Sequence, residues 1–121
     1  MLHADFTEEI IRSFYKVYNA LGYGFLEKVY ENALAFELRK NGLTVKTQEN
    51  IRVFYEGQEV GDYYADLLVN DLVIIELKAA ENIRQEHVAQ LINYCKATRI
   101  EVGLLLNFGK SPEVKRVAFR A

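Results

Sequence analysis

Two opposite charges end an otherwise apolar stretch, IIELKAAE at residues 74–81. Glu76 and Lys78 are two residues apart, and in a β-strand this spacing puts both side chains on one side of the sheet. Burying a carboxylate and an ammonium group is costly unless they are paired or used for binding. Together they can reach a common ligand, so this stretch is the first candidate for a functional site. A weak ion pair at the exposed end of the strand is the alternative that the spacing leaves open.

A second carboxylate, Asp66, lies on the preceding predicted strand, YYADLLV at residues 63–69. Residues directly opposite one another in an antiparallel hairpin share a face of the sheet. A two-residue turn between the strands would set Asp66 against Ile75, whereas a three-residue turn at 70–72 sets it against Glu76. If Asp66 and Glu76 form one site, the sequence therefore predicts the three-residue turn.

Two carboxylates held side by side repel each other, and in a covered site this repulsion raises a pKa unless a cation compensates. Oxygen ligands from Asp66, Glu76 and a backbone carbonyl, assigned to Leu77, suit Mg²⁺ or Mn²⁺. A structural zinc site is poorly supported because the chain has one Cys and two His. The expected cofactor is Mg²⁺ or Mn²⁺.

Two predicted helices supply further polar side chains. Glu27 falls on the same helical stripe as Tyr30 and Leu34, where an inward-facing carboxylate needs a partner. Glu27 is equally consistent with an acidic residue in the first turn of its helix, which the helix dipole stabilises. On the later helix, Gln90 and Tyr94 border the apolar face, where they can line a site or simply mark the boundary between core and solvent.

The hydrophobic pattern predicts the elements that position these residues. Helices are predicted at residues 7–20, 25–40 and 82–97, the last with a capping box formed by Asn82 and Gln85. Strands are predicted at 43–48, 51–55, 63–69, 72–78, 101–108 and 114–120, with a turn, EGQEVGD, at 56–62. The order α-α-β-β-β-β-α-β-β predicts an α/β sandwich with one parallel crossover through the third helix.

The composition limits the possible classes of protein. At 121 residues, half of them apolar, the chain is expected to form one domain over residues 1–121 with a substantial core. No apolar run reaches membrane-spanning length and no signal-peptide pattern is present, so a cytoplasmic protein is expected. The net charge of −2 argues against a protein that coats nucleic acid by charge alone. Cys95, on the apolar face of the third helix, is expected to be an inert core residue.

The motif GFLEKVY at residues 24–30 matches the Gly-x-x-Glu-x-x-Tyr pattern after which a family of small bacterial and archaeal proteins is named. The chain also resembles that family in YADLLV, IIELKA, QLINY and GLLLNFG, so the similarity covers nearly all of residues 7–120. This family is similar to a compact branch of the PD-(D/E)XK nuclease superfamily, which has a restriction-endonuclease-like core. The resemblance implies a mixed central sheet flanked by helices.

The resemblance also implies roles for the carboxylates and the lysine. Asp66 corresponds to the acid of the first half of the superfamily motif, and Glu76 with Lys78 to its Glu-x-Lys half. Glu27 corresponds to the helix carboxylate that assists metal binding. Ala65 stands where the superfamily name has Pro, a position that does no chemistry.

Three more site residues follow from the same resemblance. Gln90 and Tyr94 resemble the Gln-x-x-x-Tyr motif of RecB-like nucleases, which implies catalytic and substrate-positioning roles for both. Tyr30, the tyrosine of the family motif, is expected to take part in substrate binding.

The function implied is hydrolysis of phosphodiester bonds in DNA or RNA. Asp66 and Glu76, helped by Glu27, would hold the metal ion, and Lys78 would orient or deprotonate the attacking water. Two other functions remain open: a non-catalytic module of the same fold that acts with a protein partner, and a hydrolase of another phosphate-bearing substrate such as a nucleotide. A homodimer is also compatible with the apolar first helix.

Overall fold

The computed structural model describes residues 3–120, which form three helices and a five-stranded mixed sheet. The elements are α1 (Ala4–Leu21), α2 (Glu27–Lys40), β1 (Val45–Tyr55), β2 (Gln58–Val69), β3 (Val73–Lys78), α3 (Gln85–Thr98), β4 (Val102–Phe108) and β5 (Pro112–Ala118). The strands lie side by side in chain order, and only β3 and β4 are parallel. The predicted α/β sandwich with a parallel crossover through the third helix is confirmed.

One strand replaces the first two that the sequence predicts. The segments 43–48 and 51–55 belong to a single strand, β1, which pairs with β2 along its length. Gln48, with a left-handed φ of 50°, interrupts the pairing without ending the strand. The predicted turn shortens to Glu56 and Gly57, which both have positive φ, as a two-residue hairpin requires. The observed order is therefore α-α-β-β-β-α-β-β.

Helices cover both faces of the sheet. On one face α1 and α2 pack around an aromatic centre in which Phe108 contacts Phe14 and Tyr30, with ring centroids 4.8 and 4.1 Å away. On the other face α3 packs through Leu91 and Cys95, both fully buried. Burial raises the pKa of the Cys95 thiol to about 11, so the thiol stays protonated, as expected of an inert core residue.

The start of α3 lies later than predicted. The helix begins at Gln85 and its N-cap is Arg84, in place of the predicted Asn82. The backbone N–H of Arg84 donates to Nδ1 of His87 at 3.2 Å, so a histidine side chain supplies the acceptor at this helix end. Within residues 3–120, no helix combines the length and the apolar character needed to cross a membrane.

The packing of α3 on β4 predicts the effect of adding one methyl group at Gly103. A Cβ at this position would lie 2.9 Å from the Leu91 side chain and 3.0 Å from Val117 Cγ2, closer than van der Waals contact allows. Gly103→Ala should therefore lower the free energy of unfolding by about 1–3 kcal/mol, as overpacked cores do. Urea denaturation measures this change. In a Leu91→Ala background most of the cost should disappear; an equal cost in both backgrounds would contradict the packing explanation.

Candidate active site

The candidate site lies where β2 and β3 separate. The strands are joined by the predicted three-residue turn at 70–72, and their regular pairing ends at Leu67 and Ile75. The register sets the next residues, Asp66 and Glu76, opposite each other. The prediction of a three-residue turn is thus confirmed.

Beyond this last pair, carboxylates replace main-chain pairing. The Asp66 N–H donates to Glu76 Oε2 at 2.9 Å, and the Leu77 N–H donates to Asp66 Oδ2 at 2.8 Å. Glu76 is 7% exposed, and Asp66 is half-buried. These two hydrogen bonds hold the two acids side by side at the strand separation.

The environment of the pair disfavours two negative charges. Burial, and then the charge of Asp66, raise the pKa of Glu76 to about 9, while the Lys78 ammonium acts in the opposite direction. At neutral pH the carboxyl pair of the metal-free protein therefore keeps one proton, which we assign to Glu76. Lys78 is half-buried two residues further along β3, on the same side of the strand as Glu76.

Glu27 is not brought next to this pair. It is exposed in the first turn of α2 and lines a surface cleft together with Ala80 and Glu81. In the described part of the chain, 3–120, no three His, Cys, Asp or Glu side chains are grouped so that they could hold a metal ion. The geometry thus does not support Glu27 as a metal ligand and agrees with the alternative of a first-turn acidic residue stabilised by the helix dipole.

Glu31, one turn further along α2, is the buried carboxylate that the helix directs toward the site. It is 4% exposed; its Oε2 accepts from Lys28 Nζ at 2.7 Å and its Oε1 from Gln48 Nε2 at 2.7 Å. The same Gln48 nitrogen lies 3.4 Å from Asp66 Oδ1. A chain of polar contacts therefore runs from α2 through β1 to the carboxylate pair. Glu27 and Glu31 are four residues apart and therefore lie on one face of the helix. This spacing could have identified the face from the sequence, but not which of the two carboxylates is buried.

Tyr30 has a structural role. Its side chain is fully buried, and its ring stacks on Phe108 with the planes 11° apart. Its hydroxyl donates to the Gly22 carbonyl at 2.7 Å and accepts from the Phe25 N–H at 3.1 Å. These contacts fix the segment between α1 and α2 and leave no surface for a substrate, so the expected role of Tyr30 in substrate binding is not supported.

Tyr94, one of the two α3 residues expected at the site, lies close enough to the carboxylates for their charges to act on its hydroxyl. Tyr94 is 6% exposed and packs against Tyr63, with ring centroids 5.7 Å apart. Burial, followed by the charges of Glu76 and Asp66, raises the pKa of Tyr94 to about 12. The hydroxyl therefore stays protonated and can donate a hydrogen bond. Gln90 is exposed one turn earlier and lines a cleft with Tyr94.

Asn107, which lies within the predicted strand at 101–108, fixes the segment that follows Lys78. It is fully buried on β4, paired in register with Lys78. Its Oδ1 accepts from the Ala80 N–H at 3.0 Å, and its Nδ2 donates to the Ala80 carbonyl at 2.9 Å and to Glu113 Oε1 at 3.2 Å. A Cβ at Gly109 would lie 2.4 Å from the Ala80 oxygen, so glycine is required for this close approach. These contacts hold the segment that follows β3 against β4.

Comparisons with known proteins identify the fold. The family model described as the PD-(D/E)XK nuclease superfamily matches residues 4–117. A crystal structure of SSO0001 has a TM-score of 0.63 at 16% identity, over 98% of this chain and 60% of that chain. The alkaline exonuclease LHK-Exo from Laribacter hongkongensis has a TM-score of 0.55 at 15% identity, over 78% of this chain and 56% of that chain. The chain therefore spans less than two thirds of the length of either structure. No curated protein matches it significantly.

The raised pKa of Glu76 predicts that the metal-free protein loses stability as the pH rises. In the folded state Glu76 has a pKa of about 9. A glutamate in the unfolded chain has a pKa of about 4.3. Between these values the folded state holds one more proton, so the free energy of unfolding falls with increasing pH. Urea denaturation in EDTA across this range measures the slope.

Glu76→Gln keeps the side-chain shape without ionising, and it should flatten that slope. Glu8→Gln, at an exposed position of α1, is the matched control and should leave the slope unchanged. An identical pH dependence in wild type and Glu76→Gln would show that Glu76 does not hold the proton.

Proposed function

The chain belongs to the PD-(D/E)XK nuclease superfamily, and from this premise we propose that it hydrolyses phosphodiester bonds of nucleic acid with a divalent cation held by Asp66 and Glu76. The observation that carries the proposal is the carboxylate pair that replaces main-chain pairing where β2 and β3 separate. A buried pair of acids costs stability, either as two like charges or through the raised pKa of the acid that keeps its proton. A pair that served only stability would be better replaced by apolar residues.

The donor set fits a hard divalent cation. Asp66 and Glu76 offer carboxylate oxygens, and a cation bound between them would oppose the effects of burial and of the Asp66 charge, which raise the pKa of Glu76. A residue in a strand directs its N–H and C=O toward the same edge, and the Leu77 N–H already points at Asp66. The Leu77 carbonyl is therefore the third proposed ligand. Oxygen-only ligation favours Mg²⁺ or Mn²⁺, which when bound polarises the phosphate and lowers the pKa of a coordinated water.

The remaining side chains act on the substrate and the water. The Lys78 ammonium orients the attacking water and offsets the negative charge that develops on the phosphate while the bond to the leaving oxygen breaks. The protonated Tyr94 hydroxyl donates a hydrogen bond at the site, and Gln90 contacts the nucleic acid. Glu31, rather than Glu27, supports the pair from α2 by holding Gln48 against Asp66.

The proposal predicts separate effects of two substitutions. Asp66→Asn should abolish Mn²⁺ binding in titration calorimetry, because it removes a ligand charge. Lys78→Ala should keep Mn²⁺ binding and lower the cleavage rate by about 10²–10⁴-fold, the usual contribution of a positioned proton-transfer group. Cleavage is measured on single-stranded, duplex and branched DNA and on RNA. Lys115→Ala, at an exposed position of β5, is the control and should resemble wild type.

Three results would contradict the proposal. The first is that the wild-type protein binds no divalent cation at millimolar concentration. The second is that the Asp66→Asn variant cleaves at the wild-type rate. The third is that the wild-type protein binds the cation but cleaves none of the substrates. The last result would instead favour a non-catalytic module with the nuclease fold.

The polar chain through Gln48 predicts a positioning effect on the cation site. Gln48→Ala removes the link between Glu31 and Asp66, so Mn²⁺ affinity should fall by about 10- to 100-fold, as for other residues that orient metal ligands. Thr47→Ala, at the exposed neighbouring position of β1, should not change the affinity. Equal Mn²⁺ affinity in Gln48→Ala and wild type would exclude the positioning role.

A further inference from the structure

A cleft of about 790 Å³ lies between α3 and the hairpin formed by β1 and β2. Aromatic rings line it from both sides: Phe54 and Tyr63 from the hairpin, and Tyr94 from α3. Phe54 is 59% exposed and Tyr63 is 46% exposed, so both residues line the cleft while much of their side-chain surface remains accessible. Exposed aromatic faces in a concave surface are suited to stacking on a flat ligand.

The polar groups of the cleft are those that recognise nucleotides. The amides of Gln90 and Asn93 line it from α3 and can pair with the edges of bases. Arg52 and Lys96 add two cations, against the single carboxylate of Glu86. Cations of this kind contact phosphates.

Tyr94 connects this cleft to the carboxylate pair. Its ring packs against Tyr63 in the cleft, and its hydroxyl is close enough to Glu76 and Asp66 for their charges to act on it. A chain of nucleotides lying along the cleft would therefore run toward the carboxylates that are proposed to hold the cation.

We propose that the cleft holds a segment of single-stranded nucleic acid, with bases stacked on Phe54 and Tyr63 and phosphates near Arg52 and Lys96. This inference rests on the proposed phosphodiesterase function and adds the class of its substrate. Stacking requires open base faces, which a single strand offers and a duplex hides.

The charge of the hairpin favours the same occupant. Residues 45–69 contain two Lys or Arg and five Asp or Glu. Binding of a duplex depends on many phosphate contacts, which this negative hairpin opposes. Stacking on aromatic rings does not require a net positive surface, and two lining cations are enough to locate the backbone of one strand.

Fluorescence anisotropy tests the inference with the full chain, in EDTA so that cleavage cannot interfere. The probes are a labelled DNA strand of about twelve nucleotides, within the usual range of single-strand sites, an RNA of the same sequence, and the corresponding DNA duplex. Wild type should bind at least one of the single strands more than about tenfold tighter than the duplex. With two phosphate contacts, the slope of log affinity against log salt should be shallow, about −1.4.

Substitutions of cleft residues test whether the single strand binds in the cleft. Tyr63→Ala and Phe54→Ala should each weaken single-strand binding by about 5- to 100-fold, the usual effect of losing one stacked base. Tyr63→Phe keeps the ring and should bind like wild type. Tyr64→Ala is the matched control, since Tyr64 is 54% exposed on the same strand but does not line the cleft. Circular dichroism verifies that each variant is folded.

The outcomes separate the inference from the function on which it rests. Single-strand binding that needs Tyr63, without cleavage when Mn²⁺ is added, supports the cleft and refutes the phosphodiesterase. Cleavage with the same KM in wild type and Tyr63→Ala leaves the phosphodiesterase and refutes the cleft. Equal affinity for duplex and single strand, or no binding to any probe, also overturns the inference.

Discussion

Two carboxyl groups cannot lie side by side in a partly buried position unless hydrogen-bond donors, a proton or a cation compensate their charge, and the structure around β2 and β3 follows from this constraint. The ladder between these strands stops at Leu67 and Ile75, so the backbone N–H groups of Asp66 and Leu77 are available to the acid side chains. Continued pairing would use such groups for the ladder. The strand separation is therefore what makes the acidic pair possible.

The pair is held from several directions by elements that do no chemistry themselves. From α2, Glu31 fixes Gln48, whose side chain also reaches Asp66. From β4, Asn107 binds both main-chain groups of Ala80, and so holds the end of β3 after the Glu-x-Lys motif. Each contact links the site to a different element, so displacing either support would change the spacing of the two acids.

The small negative net charge of this protein limits how it could bind nucleic acid. The net charge of −2 gives no general attraction for nucleic acid, so the proposed binding depends on specific side chains. A hairpin with exposed Phe54 and Tyr63, facing the polar side of α3, offers such features beside the acidic pair. Recognition by stacking and catalysis by a locally held cation are compatible with an acidic chain, because neither requires a broad basic surface.

The sequence by itself determined the three helices and the strands around the site, together with one register. The period of two along a strand, together with a shared site for Asp66 and Glu76, predicted the three-residue turn that sets them opposite each other, and the helical pattern predicted the end of the second helix at residue 40. A hairpin register and a helix end depend on residues that are close in the sequence, so the spacing of those residues specifies them.

Only the tertiary structure decided which side chains around the pair are buried. Glu27 and Glu31 share a helical face, and the depth at which α2 meets the sheet buries Glu31 and exposes Glu27. The ring of Tyr30 packs against Phe108 in the core. Gln48, whose backbone is left-handed, contacts Asp66 on the neighbouring strand. Periodicity gives the direction of a side chain about its own element, but its neighbours depend on how distant elements pack, which no local spacing encodes.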